Sequence, residues 1–102
     1  ASLENHNLNT MLYQNYPNPF NPETWIPFEI AEDSLVLIQI HNTNGNLIRE
    51  LNLGFCSKGI YTSKSGAAYW DGCNQQGESV SSGMYFYLLN NAGQPRKMII
   101  LK

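Results

Sequence analysis

The side chains of this 102-residue chain that could do chemistry are Cys56 and Cys73, His6 and His41, eight carboxylates, and serines at 79, 81 and 82. The cysteines have sixteen residues between them, which fits no zinc pattern, and two thiols with two scattered histidines fall short of a tetrahedral set. They read as free thiols, or as a disulfide if the chain reaches an oxidising compartment and their Cα atoms come within about 7 Å. Catalysis by paired carboxylates needs two acids converging in a cleft, but Glu32 and Asp33 share one turn and the other acids are scattered, as solvated charges are. The serines have only His41 as a candidate base and sit in no nucleophile elbow. "NTNGN" (42–46) lacks the lysine and following helix of a phosphate loop, and Asn42, Asn44 and Asn46 with few carboxylates make a poor calcium loop. Asp71, between Trp70 and Gly72, reads as a turn former whose carboxylate accepts backbone amides. The chain is therefore expected to be no enzyme and to need no metal or cofactor.

Composition narrows the partners. Charged residues make up only 14%, and thirteen asparagines supply much of the polarity, which suits a turn-rich extracellular β protein. A net charge of −2 argues against nucleic acid and against anionic membrane, since both select a basic face. No apolar run is long enough for a transmembrane segment. The chain starts at Ala1 without a methionine, and the expectation is a processed product or a piece of something longer.

The elements that must position these residues are strands. Residues 1–11 show no period and are expected to be a flexible tail or linker, with the domain at 12–102. "NYPNPFNPET" (15–24) places three of five prolines within six residues; Pro17, Pro19 and Pro22 exclude helix and interior strand, while Tyr16 and Phe20 gain from burial. The segment reads as a docked lead-in, a structural lock. Alternation of Ile26, Phe28 and Ile30 predicts a strand over 25–30, placed at a sheet edge by Pro27. "LVLIQIHN" is a central strand, "NTNG" a hairpin turn, and "NLIRELNL" a third strand. A short strand near 60–62, one at "AAYWDG", a buried "MYFYLL" strand entered at Gly83, a turn at "NAGQ" and a last strand at "RKMIILK" complete seven. Seven short strands at near-regular spacing without helical period predict an all-β, seven-stranded antiparallel sandwich of immunoglobulin-like or fibronectin type III-like type, with a small open barrel as the other architecture.

Taken together, "NYPNPFNPET", "VLIQIHNTNGNLIREL", "YWDG", "SSGMYFYLL" and the terminal "KMIILK" resemble the C-terminal sorting domain of type IX secretion cargo, and the "WDG…SGMYFY" portion resembles the immunoglobulin-like domain of the flagellar hook-capping protein. The resemblance covers residues 12–102, with His41, Cys56 and Cys73 departing from the family's usual pattern. It implies a non-catalytic module at the end of a larger secreted bacterial protein, acting as sorting signal and surface-attachment domain. The implied partners are the secretion machinery of the outer membrane and an upstream passenger, and the implied location is secreted or attached at the outer-membrane cell surface. It further implies that Lys97, Met98, Ile99, Ile100, Leu101 and Lys102 form the recognition segment, with Pro17, Asn18, Pro19, Phe20, Asn21, Pro22, Trp70, Asp71, Gly72, Gly83 and Tyr85 as its structural motif.

Two other functions compete. A carbohydrate-binding module would present exposed aromatics, with Trp25 and one face of Tyr85 and Tyr87 as the platform, unless Trp25 covers the proline segment instead. A hook-cap-like assembly module would oligomerise through an exposed sheet edge.

Overall fold

The computed structural model describes residues 8–102, and every regular element among them is a strand. In chain order these are β1 (Met11–Leu12), β2 (Thr24–Ile26), β3 (Phe28–Ile30), β4 (Ser34–Asn42), β5 (Leu47–Cys56), β6 (Gly59–Tyr61), β7 (Ala68–Trp70), β8 (Gly83–Leu89) and β9 (Ala92–Ile100). A four-stranded sheet runs β5-β4-β8-β9, a three-stranded one β1-β3-β6 and a two-stranded one β2-β7, and every ladder is antiparallel. Their buried residues form one cluster: Val36, Ile38, Ile40, Tyr87 and Met98 from the large sheet meet Ile26, Phe28, Ile30, Ala68 and Trp70 from the two smaller ones. This arrangement is consistent with a β-sandwich, in which alternate residues of facing sheets build a single core.

Nine strands replace the expected seven for physical reasons that can be named. The run 25–30 is not one edge strand: it breaks at Pro27, so that β2 pairs with β7 while β3 lies between β1 and β6. The proline cannot donate to a ladder, but its carbonyl accepts from the Tyr13 N–H at 3.0 Å. The expected tail lies outside the described residues up to residue 7, His6 included, but its last residues are not tail. Met11 opens β1 opposite Glu29, the Asn9 N–H donates to the Glu29 carboxylate, and Thr10 Oγ1 accepts from the Ala31 N–H. The last strand also begins earlier than expected, at Ala92, because Asn90 and Asn91 take φ of 52° and 55° and turn the chain before "NAGQ" ends.

Candidate functional site

Motifs far apart in the sequence converge at one end of β9. Met98 and Ile100 are fully buried, paired across the ladder with Tyr85 and Gly83 of β8. The other edge of β9 is taken by the proline segment: the Phe20 N–H donates to the Ile99 carbonyl, the Leu101 N–H to the Phe20 carbonyl, and the Ile99 N–H to Asn18 Oδ1, all at 2.9–3.0 Å. Phe20 is itself buried, its ring 5.6 Å from the indole of Trp70, which meets Tyr85 edge-on at 5.8 Å. These are favoured aromatic geometries.

The Trp-Asp-Gly turn closes the junction. Trp70 fills the core and its Nε1–H donates to the Cys73 carbonyl at 2.9 Å. Asp71 Oδ1 accepts from the Cys73 N–H and from Arg49 Nη1, each at 3.0 Å, so the carboxylate both makes the expected turn and anchors β5. Gly72 has φ of +80°, and a Cβ there would lie 2.5 Å from the Pro22 carbonyl oxygen, so the glycine serves a backbone conformation and a close approach at once. At the rim, the Tyr85 hydroxyl donates to the Ser81 carbonyl, the Lys102 N–H donates to Ser82 Oγ, and Lys102 Nζ bonds Ser79 Oγ. Of residues 97–102, Lys97, Leu101 and Lys102 are exposed and Ile99 is half-buried.

A second polar cluster, which the sequence did not announce, holds the lead-in from inside. Asn15 and Thr24 are buried and share a 3.0 Å hydrogen bond, and both donate to the Pro17 carbonyl. The buried Tyr87 hydroxyl donates to the Tyr13 carbonyl and accepts from the Asn15 N–H. Burial pushes its pKa up to about 12, against smaller opposing effects of the Asn15 hydrogen bond and of Arg96. Glu29, expected to be a solvated charge, is also buried; its carboxylate accepts from the Tyr13 hydroxyl at 2.7 Å, which raises the tyrosine's pKa. "Tyr-Gln-Asn-Tyr-Pro" gives no periodic signal, so nothing in the pattern marked Asn15 as a core residue.

The remaining candidates among the described residues have other partners or neighbours. Among the described residues no three His, Cys, Asp or Glu side chains gather where a metal ion could sit. Ser79 and Ser82 bond Lys102, whereas His41 lies on β4 opposite Leu47 and Phe86. The disulfide is corrected: both cysteines are free thiols. Cys73 lies by Arg49, whose Nη1 donates to its carbonyl, while Cys56 ends the same strand; seven residues of β5 place them on the order of 20 Å apart. The sugar platform is corrected too, because Tyr85 and Tyr87 are buried. Trp25 instead packs on Tyr16 of the proline segment at 6.4 Å and on Tyr69 at 5.5 Å, with Lys64 Nζ 4.3 Å over its ring. Nor are the outer sheet edges bare. Gln75 bonds Ile48 and Glu50 of β5, and across a cavity of about 660 Å³ Arg96 of β9 donates to the Leu12 carbonyl while Gln14 donates to that of Lys97.

No family model matches the sequence, and no curated protein matches it. Among solved structures, the chain is similar in fold to the crystal structure of dimeric latent PorU from Porphyromonas gingivalis, with a TM-score of 0.64 and 22% sequence identity over 92% of this chain. The chain spans 9% of that much longer chain. At this identity the likeness concerns the fold alone. No helix of the described residues is long and apolar enough to cross a membrane.

Proposed function

We propose that the chain is a non-catalytic, immunoglobulin-like C-terminal sorting module of a larger secreted bacterial protein, exported by a type IX system and serving in attachment at the cell surface. The observation that carries this reading is the hydrogen-bonded union of the proline segment with the terminal strand. Asn18 and Ile99 are 81 positions apart, yet they and Phe20 join two of the sequence stretches that carry the family resemblance. In this reading the core half of the strand, Met98 and Ile100, holds the domain together. The exposed half, Lys97, Leu101 and Lys102, is left for the export machinery to touch.

A reporter fused ahead of this domain in a type IX-secreting host tests the proposal. The intact fusion should reach the cell surface, and deletion of residues 97–102 should strand it in the periplasm. Because that deletion also removes two buried side chains, the deciding variant is Lys97→Ala with Leu101→Asn and Lys102→Ala, which alters exposed side chains only. It should remain folded by circular dichroism and lose export. Failure of the intact fusion to leave the periplasm would overturn the sorting role. Full export of the folded triple variant would remove the side chains of Lys97, Leu101 and Lys102 from recognition.

A further inference from the structure

The outer face of the four-stranded sheet is apolar where a two-layer sandwich ordinarily shows water a polar surface. The register gives its rows: Leu35 stands opposite Phe55, Leu37 opposite Asn52, then Glu50–Gln39–Leu88, then Leu47–His41–Phe86–Lys97, then Met84–Ile99. Eight of these side chains are apolar, and Leu35 and Phe55 are 70% and 69% exposed. The inner face already has its partners in the shared core, so this second face is a separate apolar surface, with a depression of about 320 Å³ lined by His41, Thr43, Phe86, Leu88 and Pro95. Exposed Leu35, Leu47, Phe55 and Met84 gathered on one sheet face are the kind of feature that marks an interaction surface.

We infer that this face is covered by the same face of a second copy, in a two-fold dimer of stacked four-stranded sheets. The charge pattern selects this occupant. Glu50 is exposed on the β5 edge and Lys97 on the β9 edge of one face, three strand spacings or about 14 Å apart. A two-fold axis parallel to the strands, running between β4 and β8, lays the β5 edge of one copy over the β9 edge of the other. Glu50 then meets the partner's Lys97 twice, offset along the strand by one pair of residues, about 7 Å, which two long side chains span. Between the two charge pairs lie Leu88 and Phe86 of β8 beside Gln39 and His41 of β4, with Leu37 one row further along β4, so that the charges sit at the rim and β8 supplies an apolar middle. The area suffices: four strands with a nine-residue β4 make a face of roughly 20 by 30 Å, so two copies cover at least about 1,200 Å², where stable interfaces begin.

Sedimentation equilibrium of the purified chain at low ionic strength, from micromolar to near-millimolar concentration, tests this. The chain should dimerise reversibly. Glu50→Lys and Lys97→Glu should each weaken the dimer about tenfold, by turning two attractions into repulsions, and the double reversal should restore it. Leu88→Lys should abolish association; should that variant fail to fold, the charge reversals still decide, because both residues are exposed. A chain that stays monomeric throughout the range, or a dimer indifferent to both single reversals, would overturn the inference. Neither result depends on whether the chain is exported.

Discussion

Replacing Gly72 with alanine separates the two roles that the junction assigns to this glycine. Its φ of +80° costs an L-residue about 1–2 kcal/mol wherever it occurs. The close approach adds to this: the new Cβ would sit 2.5 Å from the Pro22 carbonyl oxygen and 3.5 Å from its carbon, both backbone atoms with no side chain to swing aside. Relief requires moving Pro22, and with it Phe20, which is hydrogen-bonded to Ile99 and Leu101 and packed on Trp70. From the other side, the Gly72 carbonyl is held by the Val80 N–H at 3.0 Å. Overpacking of this kind adds about 1–3 kcal/mol, giving about 2–5 in total against a domain stability of about 5–15. Gly77 supplies the control, since its φ is +84° but a Cβ there meets nothing within 4 Å. Urea denaturation should place the midpoint of Gly72→Ala lower than that of Gly77→Ala by about 1–2 M, at a slope near 1–1.5 kcal/mol per molar. Equal midpoints would show that the proline segment does not press on the turn, and the junction as described would fall.

Trp70→Ala should lower stability by about 3–5 kcal/mol, read from the same urea transition, because the indole is fully buried between Phe20 and Tyr85; an unchanged midpoint would mean the ring is not in the core. Tyr87 keeps its proton in the folded state up to about pH 12, against about 10 when unfolded, so its contribution is complete below pH 10 and is lost as pH rises from 10 to 12. A pH series of denaturation curves should show a loss attributable to this group of roughly 2 kcal/mol, reduced in Tyr87→Phe; an equally steep loss in both proteins would refute the assignment. Both cysteines should react with a thiol reagent in the native, non-reduced protein, and Cys56→Ser with Cys73→Ser should shift the thermal midpoint equally with and without reductant. A mass lower by two hydrogens with both thiols protected would contradict the geometry.

What the sequence revealed followed from whether a residue's role was local. Val36, Ile38 and Ile40 alternate along β4, and that alternation places them in the core. Asp71 and Gly72 form a turn whose chemistry is contained in adjacent residues, and it appears as expected, including the Asp71 carboxylate on the Cys73 amide. The count of strands was not local: Pro27 interrupts a run whose side chains alternate through it, and only the change of partner from β7 to β1 and β6 makes it two strands. Glu29 and Asn15 are buried polar residues whose partners come from other segments, so no spacing could reveal that Tyr13 and Thr24 satisfy them. The sugar platform failed for a related reason. "MYFYLL" is apolar on both faces, and register rather than composition sends Tyr85 and Tyr87 inward and leaves Phe86 and Leu88 on the outer face.

The junction also bears on why a sorting signal would be built this way. A linear tail could be read in any state of the chain, whereas the outer edge of β9 acquires its shape only through partners far from it in sequence. β8 is its hairpin neighbour, but the outer edge needs Asn18 and Phe20, and Phe20 needs Trp70. These contacts close the long loop between residues 18 and 99, and the entropy of closing it is offset only when the whole set is made. Lys97, Leu101 and Lys102 therefore hold their relative positions only once both ends of the domain have met. If residues 97–102 are read by an exporter, what it reads is a folded surface. A peptide of these six residues alone should then fail to compete with the intact domain for export of the reporter, and effective competition by the peptide would show that recognition is linear and that the stitching of β9 serves stability alone.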